Sequence, residues 1–369
     1  IAVRIIRAAK EEGIKTVAVY SDADRNSLHR LMADESVWIG GPHPQHSYLD
    51  IEKIIEAARK TSVEAVHPGY GFLAENPMFA KRLEEEGITF IGPPSRVLEI
   101  VGDKLGARKL VSEVGVPIAP GTLTPVTTDN AEEIANKMGY PVIVKPSGGG
   151  GGIGMTIVRN EMELLKAVKR ASELAKSTFV NPEVYIEKYF PKARHIEVQI
   201  LAATKGKIVH LFERECSIQR RFQKLIEEAP SKALTWDERL TIAKDAVKFI
   251  EEAKYTNAGT VEFLYKDGKH YFLEVNARLQ VEHGVTEMVT GIDIVKAQIK
   301  IAADKPLNVS QGQISLKGWA IEVRINAEDP LNNFTPSPGK IIKYHEPGGL
   351  GVRVDSGVYE GYYVPPIYN

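Results

Sequence analysis

The feature that most restricts the fold of this chain is the alternation of helical and extended segments over residues 1–92. Apolar residues at helical spacing predict helices over 1–12, 27–33, 48–60 and 77–87. Short apolar runs between them predict strands over 16–20, 36–39, 63–67 and 88–91. This order predicts a parallel sheet with crossover helices, because parallel strands need long connections that are usually helical. Since such a sheet has a strand before its first helix, we expect residues before Ile1.

The rest of the chain changes from this alternation to mainly extended segments. A Gly-Pro-Pro break at 92–94 leads into a helical connector over 93–118, and a smaller α+β unit follows over 119–190. In that unit we predict a helix at 161–176 and strands at 141–145, 155–158 and 184–189. Over 191–369 we predict one helix at 236–254, after a Thr235–Glu238 capping box, and strands at 194–202, 207–213, 259–265, 270–276 and 318–326.

Composition excludes several classes of protein. The 369 residues are 43% hydrophobic and 26% charged, as in an ordinary globular protein. With 47 Lys and Arg against 48 Asp and Glu, the net charge of −1 gives no overall basic footprint for nucleic acid. No apolar run reaches the length of about 20 residues that crosses a membrane. The single cysteine, Cys216, forms no intramolecular disulfide, so we expect a buried strand position for it and a cytoplasmic protein.

A run of six glycines lies within residues 148–154, between two predicted strands. Such a loop brings backbone N–H groups close to a polyanion, since no side chains stand in the way. It lacks the G-K-[ST] ending of a P-loop and the strand–turn–helix setting of a dinucleotide-binding turn. Two interpretations remain, a flexible hairpin tip or a flap that covers bound phosphates with Lys145 beside them.

A row of polar residues spans 274–282, in the sequence EVNARLQVE. In an extended chain, a period of two places its polar side chains on one face: Glu274, Asn276, Arg278, Gln280 and Glu282. A solvated strand face would show the same alternation. Two carboxylates, two amides and a guanidinium in one row favour instead a site that holds a cation and an oxyanion together.

A hairpin decides whether a further carboxylate, Glu262, joins this row. A two-residue turn at Asp267 and Gly268 would place Glu262 and Glu274 on opposite faces of the sheet. A three-residue loop over 266–268 pairs residue 260 with 274 and places both glutamates on one face. We predict the three-residue loop, and with it a magnesium site, because carboxylate and amide oxygens are the hard ligands that Mg²⁺ prefers.

Further motifs are spread over nearly the whole chain. They are HPGYGFLAEN (67–76), FIGP (90–93), GDK (102–104), KPSGGGGGIGM (145–155), EKYF (187–190), RHIEVQ (194–199), ERECSIQRRFQKLIEEAP (213–230), LEVNARLQVEH (273–283), RINAEDP (324–330) and VPP (364–366). In this order they resemble the biotin carboxylase component of biotin-dependent carboxylases, within the ATP-grasp superfamily. Since the family's opening strand and the end of its C-terminal domain are missing, the resemblance implies a chain truncated at both ends.

The resemblance implies a mixed α/β and α+β fold of the ATP-grasp type. Its N-terminal domain, over 1–92, would be a Rossmann-like, doubly wound parallel sheet, followed by the connector over 93–118. A glycine-rich lid would span 119–190. The catalytic and C-terminal part, over 191–369, would contain an antiparallel sheet.

The resemblance also implies a role for each matched residue. The ATP-binding residues would be Lys104, Lys145, Gly148, Gly149, Gly150, Gly151, Gly152, Glu187, Lys188, His195 and Gln219. Mg²⁺ or Mn²⁺ would bind Glu262, Glu274 and Asn276. Bicarbonate would bind Arg278, Gln280, Val281 and Glu282.

The implied reaction is the carboxylation of biotin with ATP and bicarbonate, through carboxyphosphate. Glu282 is the candidate base for bicarbonate, with an ion pair to Arg278 as the alternative. Lys224 would contact bicarbonate or the transferred phosphoryl group. Arg324 would face the biotin ureido oxygen, or else form a structural ion pair with Glu328 or Asp329.

The same family resemblance implies partner proteins, and two alternative functions remain beside it. Biotin would arrive on a biotin carboxyl carrier protein, a carboxyltransferase would use the product, and we expect a homodimer. Phe222, Ile153 and Gly284 depart from the family pattern, in place of histidine, a basic residue and proline. The rival functions are a non-catalytic ATP-binding scaffold and another ATP-grasp ligase that joins a carboxylate to an amine. The final acceptor of the carboxyl group is not encoded in these residues.

Overall fold

Helices and strands alternate in the first part of the chain, as the sequence predicts. The computed structural model describes residues 1–148, 153–178 and 183–367. The helices of the first part are α1 (Ala2–Glu11), α2 (Leu28–Met32), α3 (Ile51–Lys60) and α4 (Pro77–Glu85), and the strands are β1 (Val17–Tyr20), β2 (Glu35–Trp38), β3 (Ala65–Val66) and β4 (Thr89–Phe90). The predicted parallel pairing is confirmed, although the described strands form two separate pairs, β1–β2 and β3–β4.

The predicted connector contains two helices, and the small unit that follows contains one more helix than expected. The connector helices are α5 (Ser95–Gly102) and α6 (Lys104–Glu113). The unit consists of α7 (Ala131–Met138), β5 (Val142–Pro146), β6 (Thr156–Val158), α8 (Glu161–Thr178) and β7 (Val184–Lys188). Its strands form an antiparallel sheet in the order β6-β5-β7, and buried apolar side chains of α7 and α8 pack against it. The sequence analysis missed α7.

The remaining residues build a six-stranded antiparallel sheet. In chain order the elements are β8 (Arg194–Ala202), β9 (Ile208–Arg220), β10 (Gln223–Ala229), α9 (Trp236–Glu252), β11 (Asn257–Lys266), β12 (Lys269–Asn276), α10 (His283–Thr290), α11 (Ile294–Ala302) and β13 (Ala320–Val323). The strand order is β12-β11-β8-β9-β10-β13. The sequence analysis missed β10, α10 and α11. The predicted capping box of α9 is present, with both Thr235 and Glu238 in place.

Short elements complete the described chain. They are the strands β14 (Glu328–Asp329), β15 (Thr335–Pro336), β16 (Gly339–Lys340) and β17 (Tyr363–Val364), together with four 3₁₀ turns at Asp22–Asp24, Pro44–His46, Gln311–Gln313 and Pro330–Asn332. Within the described ranges, no helix combines the length and apolar character that a membrane span needs.

The large core lies between the six-stranded sheet and the helices that cover one of its faces. Phe249 of α9 packs with Phe263 and Phe272 of β11 and β12, and all three rings are almost fully buried. Full burial of a large apolar side chain contributes roughly 1.5–3 kcal/mol. This packing fixes β8, β11 and β12, so that polar side chains on the other face of the sheet are held in defined positions.

Candidate active site

The hairpin of β11 and β12 places Glu262 directly opposite Glu274, by a route that differs from the prediction. Its turn has two residues, Asp267 and Gly268, with φ of 51° and 75°, so the predicted three-residue loop is wrong. A bulge between residues 262 and 263 then shifts the register by one. Because directly opposite residues share a face of a sheet, the predicted arrangement of the two glutamates on one face is confirmed.

Lys224, on β10, lies at the centre of three buried carboxylates. Its Nζ donates hydrogen bonds to Glu197 Oε2 (2.5 Å), Glu262 Oε1 (2.8 Å) and Glu282 Oε1 (2.7 Å). Burial lowers the pKa of this ammonium, but the three carboxylates outweigh burial and raise the pKa well above its ordinary value. Lys224 therefore stays charged and holds together carboxylates from β8, β11 and the start of α10.

Glu262 has partners at both of its oxygens. Oε1 accepts hydrogen bonds from Asn276 Nδ2 (2.8 Å) and Gln280 Nε2 (3.1 Å), in addition to Lys224. His195 Nε2 lies 3.1 Å from Oε2. Burial alone would lower the pKa of His195, but the charge of Glu262 outweighs burial and the pKa is raised to about 9. Burial likewise raises the pKa of Glu262, and the Lys224 and His195 charges nevertheless hold it well below its usual range.

The polar row over 274–282 is a strand only in part. β12 ends at Asn276 and residues 277–282 form a loop, so the prediction of one extended face is wrong beyond Asn276. Gln280 and Glu282 nevertheless reach Glu262 and Lys224, because the loop turns back and Glu282 becomes the N-terminal cap residue of α10. Both side chains are buried, which excludes the solvated strand face as an explanation of the row.

Arg278 is fixed by the HPGYGFLAEN segment of the N-terminal part. Its Nε donates to Glu75 Oε2 (2.9 Å), and its guanidinium carbon lies 4.6 Å from the centre of the Tyr70 ring. Its terminal NH2 donates to Asn276 Oδ1 (2.8 Å). The partners of Glu282 are Lys224 and Arg324, so the alternative that paired Glu282 with Arg278 is wrong.

Arg324, which follows β13, binds two carboxylates. Its Nε donates to Glu227 Oε1 (2.7 Å) and its terminal NH2 donates to Glu282 Oε2 (2.9 Å). Glu328 is paired with Arg220 instead, at 2.5 Å. Arg324 therefore lies beside the candidate base, and the alternative of an ion pair with Glu328 or Asp329 is wrong.

Lys145, near the end of β5, is a buried residue and not a solvated lysine. It is ion-paired with Glu187 of β7, which also binds the guanidinium of Arg108 from α6. Burial raises the pKa of Glu187, but the charges of Lys145 and Arg108 outweigh burial and hold the pKa below its ordinary value. The adjoining Gly149, Gly150, Gly151 and Gly152 lie outside the described residues, so both interpretations of the glycine loop stay open.

The other predicted nucleotide-binding residues are spread around these clusters. Lys104 Nζ lies 3.2 Å from Glu274 Oε2, and Lys188 Nζ donates to the carbonyl of Gly139 (2.8 Å). Gln219 donates to the carbonyl of Cys216 (2.7 Å). The half-buried Gly148 is the last described residue before the glycine loop.

The backbone carbonyl of Val281, a predicted bicarbonate-binding residue, lies 3.1 Å from Nδ1 of His283. The prediction that Cys216 is a buried strand residue is confirmed.

Several site residues were missed from the sequence. They are Glu75, Arg108, Glu197, Arg214 and Glu227. Glu197 had a signal, because the strand motif RHIEVQ places His195, Glu197 and Gln199 on one face by the same period of two. Arg214 is fully buried and binds Glu197 Oε1 (2.5 Å) and Gln280 Oε1 (2.7 Å). No sequence pattern distinguishes it from the other charged residues of β9.

The donor set fits a divalent cation and an anionic substrate together. Glu262 and Glu274 offer hard carboxylate oxygens from the neighbouring strands β11 and β12. Potential ligand atoms of His195, Glu197 and Glu262 also lie within 4.8 Å of one another. Lysines already neutralise both glutamates, since Lys224 binds Glu262 and Lys104 lies beside Glu274. A cation and the phosphates that it binds could replace these contacts without leaving an unpaired buried charge.

The fold and the site together define an ATP-grasp ligase. Family models match three stretches of the chain: the biotin carboxylase N-terminal domain over 1–98, the carbamoyl-phosphate synthase L chain ATP binding domain over 103–310, and the biotin carboxylase C-terminal domain over 322–369. The chain belongs to the biotin carboxylase family.

Relatives and solved structures match the chain over its whole length. Biotin carboxylase of Haemophilus influenzae is 52% identical, and the alignment covers 100% of this chain and 83% of that protein. Biotin carboxylase 1 of Bacillus subtilis is 51% identical, with the same coverage of 100% and 83%. A biotin carboxylase–βγ-ATP complex from Campylobacter jejuni has a TM-score of 0.97 at 44% identity, with 100% and 82% covered. The biotin carboxylase domain dimer of Hydrogenobacter thermophilus 2-oxoglutarate carboxylase, with MgADP, ADP and bicarbonate, has a TM-score of 0.97 at 47% identity, also with 100% and 82% covered.

Proposed function

We propose that this protein carboxylates biotin with ATP and bicarbonate, through carboxyphosphate, as the first half-reaction of a biotin-dependent carboxylase. The observation that carries the proposal is the position of Lys224 between Glu262 and Glu282, with Arg324 on the second oxygen of Glu282. Glu262 would face the metal and nucleotide on one side of Lys224, and Glu282 would face bicarbonate on the other side. Phosphoryl transfer needs this kind of arrangement, because it depends on positioning and on neutralisation of developing charge.

The nucleotide and metal would lie on the side of Glu262. Glu262 and Glu274, with Asn276 in support, would hold Mg²⁺ or Mn²⁺, which supplies neutralisation of the ATP phosphates when bound. Lys145 would contact the phosphates, since it lies near the end of β5, three residues before Gly148. The solved relatives with βγ-ATP or MgADP support this assignment. Lys104, Lys188, His195 and Gln219 complete the proposed nucleotide-binding set.

Bicarbonate would lie on the side of Glu282. Arg278, Gln280 and the backbone of Val281 would hold it, and the solved relative with bound bicarbonate supports such a site. Glu282 accepts the proton of bicarbonate while a bicarbonate oxygen attacks the γ-phosphorus of ATP and ADP leaves. Lys224 stays cationic throughout and stabilises the negative charge that develops on the transferred group.

Biotin would react on the side of Arg324. Carboxyphosphate gives CO₂ and phosphate, the released phosphate takes the proton from N1′ of biotin, and CO₂ forms the new bond at that nitrogen. The guanidinium of Arg324 would stabilise the negative charge on the ureido oxygen, because it already binds an anionic carboxylate at this position. Biotin would be presented by a biotin carboxyl carrier protein and passed to a carboxyltransferase. We further propose a cytoplasmic homodimer, for which the dimeric solved relative is the support.

ADP release by the purified protein tests this proposal. We expect ADP release with Mg²⁺ and ATP to rise when bicarbonate and free biotin are added together. Lys224→Met should abolish the increase, while a control at an exposed strand residue, Glu35→Gln, should keep it. ATP binding without any turnover would contradict the proposal and favour the scaffold. Turnover that needs an amine instead of biotin would favour another ATP-grasp ligase.

A further inference from the structure

A pair of carboxyl groups behind Arg324 has no role in the mechanism above. Glu227 of β10 and Glu322 of β13 are directly opposite each other in the antiparallel ladder. Their side chains therefore share one face of the sheet, with Cβ atoms about 4.5–5.5 Å apart. Two ionised carboxylates at this separation repel each other, so the pair needs a compensating cation or a proton.

The nearby cations do not carry enough free positive charge to neutralise both carboxylates of this pair. Arg324 divides its guanidinium between Glu227 Oε1 and Glu282 Oε2. Arg214, on β9, is fully buried and its donors are taken by Glu197, Gln280 and neighbouring polar groups. Three carboxylates thus face a guanidinium that contacts only two of them.

One oxygen of Glu227 marks the place where a proton fits. The Glu227 side chain is fully buried, and its Oε2 has no hydrogen-bond partner within the part of the chain that the structure describes. A buried oxygen without a hydrogen-bond partner is destabilising unless a donor reaches it. A protonated Glu322 carboxyl on the same face is the group that can donate to it.

Glu322 is also enclosed on the side of α10. A Cβ built on Gly284 would lie 3.1 Å from Glu322 Oε2 and 3.9 Å from the guanidinium carbon of Arg353. Arg353 is itself committed to Glu287 (2.6 Å) and Asp355 (2.7 Å). The charged groups around Glu322 are Glu227 on β10, Arg214 on β9, Glu282 at the start of α10, Arg324 after β13, and Arg353 beside Gly284.

The electrostatic environment agrees with this geometry. Burial raises the pKa of Glu322 to about 8, with further contributions from Glu227 and Glu282. Burial also raises the pKa of Glu227, although Arg324 opposes the shift.

We propose that Glu227 and Glu322 share one proton at neutral pH, and that this singly charged pair is a positioning device that leaves Arg324 bound to Glu282. The inference rests on the proposed function, because it concerns the same candidate base and arginine. With the proton present, Arg324 faces one negative charge on the pair and one on Glu282, which is also bound by the ammonium of Lys224. When the proton leaves to solvent, the second negative charge competes for Arg324 and repels the anionic substrates.

The pH profile of the reaction tests the proposal. We expect the rate of biotin-dependent ADP release by the wild-type protein to fall above about pH 8, by about tenfold per pH unit for loss of one proton. Glu322→Gln keeps the shape and can still donate to Glu227, but it cannot ionise. This variant should stay active at pH 7 and lose the alkaline fall, whereas the control Glu35→Gln should keep it. If Glu322 had only a structural role, Glu322→Gln would show the same fall in rate above about pH 8 as the wild-type protein.

A second measurement does not need activity. In infrared spectra of the wild-type protein, a protonated carboxyl band should disappear near pH 8, and Glu322→Gln should lack this band. An unchanged alkaline limb in Glu322→Gln, or the absence of a protonated band at pH 7, overturns the shared proton. If Glu322→Gln does not fold, the wild-type infrared titration decides alone. If the wild-type protein shows the band but no biotin-dependent turnover, the proposed function fails and the shared proton stands.

Discussion

The ammonium of Lys224 lies 2.7 Å from Oε1 of Glu282, and the same Nζ also binds Glu262. Lys224→Met would leave buried carboxylates without their cation, so we expect a loss of about 3–5 kcal/mol in the free energy of unfolding. The rate of biotin-dependent ADP release should fall by at least about 100-fold, because the cation near the transferred group is lost. Denaturant unfolding and steady-state kinetics measure the two effects.

A double variant separates the stability of this cluster from its chemistry. Lys224→Met combined with Glu262→Gln removes one negative charge together with the cation, so part of the lost stability should return. Activity should not return, because both groups belong to the proposed site. A double variant that is no more stable than Lys224→Met would show that the charge of Glu262 is not what Lys224 compensates.

The opposed pair of Glu262 and Glu274 predicts a defined metal requirement. Removal of divalent metal with EDTA should abolish ADP release, and added Mg²⁺ should restore it. Glu274→Gln should raise the Mg²⁺ concentration for half-maximal rate at least about tenfold. Mutation of a residue that only hydrogen-bonds to a metal ligand already lowers metal affinity about 10–100-fold, and loss of a ligand should cost at least as much. Glu251→Gln, in an exposed position of α9, is the matched control. An unchanged Mg²⁺ dependence in Glu274→Gln would exclude it as a ligand.

The cluster around Glu187 separates a structural arginine from a proposed phosphate-binding lysine. Arg108 also donates to the carbonyl of Ala119 (2.9 Å), so Arg108→Met leaves this carbonyl and Oε1 of Glu187 without a donor and should cost about 1–3 kcal/mol for each. Lys145→Met leaves Glu187 bound to Arg108 and should destabilise less, but it should raise the KM for ATP strongly. Equal losses of stability, with an unchanged KM in Lys145→Met, would contradict the assignment of Lys145.

Acid sensitivity should come partly from His67. Its Nδ1 accepts from the backbone N–H of Gly69 (3.0 Å), and its Nε2 faces Gln298 Oε1 (3.2 Å), so the neutral ring fits both partners. Burial lowers its pKa to about 4, although the Gln298 contact opposes the shift. Because the unfolded chain binds this proton near pH 6.5, stability falls as the pH decreases from 6.5 to 4, by up to about 3 kcal/mol. His67→Gln should unfold with a shallower dependence of Tm on pH in this window. Parallel Tm curves for the two proteins would contradict the prediction.

The sequence predicted most elements of the fold because their patterns are local. Helical periodicity and short apolar runs identified the helices and strands of residues 1–92, and the capping box marked the start of α9. The strand β10 was missed because its sequence, QKLIEEA, has no clean alternation of apolar and polar residues. The helix α10 was missed because the polar row over 274–282 suggested an extended chain up to Glu282.

The candidate site was predicted in its residues but not in its geometry. The grouping of Glu262 with Glu274 follows from a bulge, and no rule of turn length predicts a bulge at residue 262. The position of Glu282 follows from a loop that turns back, which a period of two cannot show. Glu75, Arg108 and Glu227 come from distant parts of the chain, so only the folded structure brings them to the site.

Transfer of labelled carbon is the most direct test of the central claim. The purified protein, supplied with ATP, Mg²⁺, free biotin and isotope-labelled bicarbonate, should form labelled carboxybiotin in step with ADP release. Both products should be absent without ATP, and both should be lost in Lys224→Met. ADP release that continues without label in biotin would contradict the account, because it would show ATP cleavage that is not coupled to carboxylation.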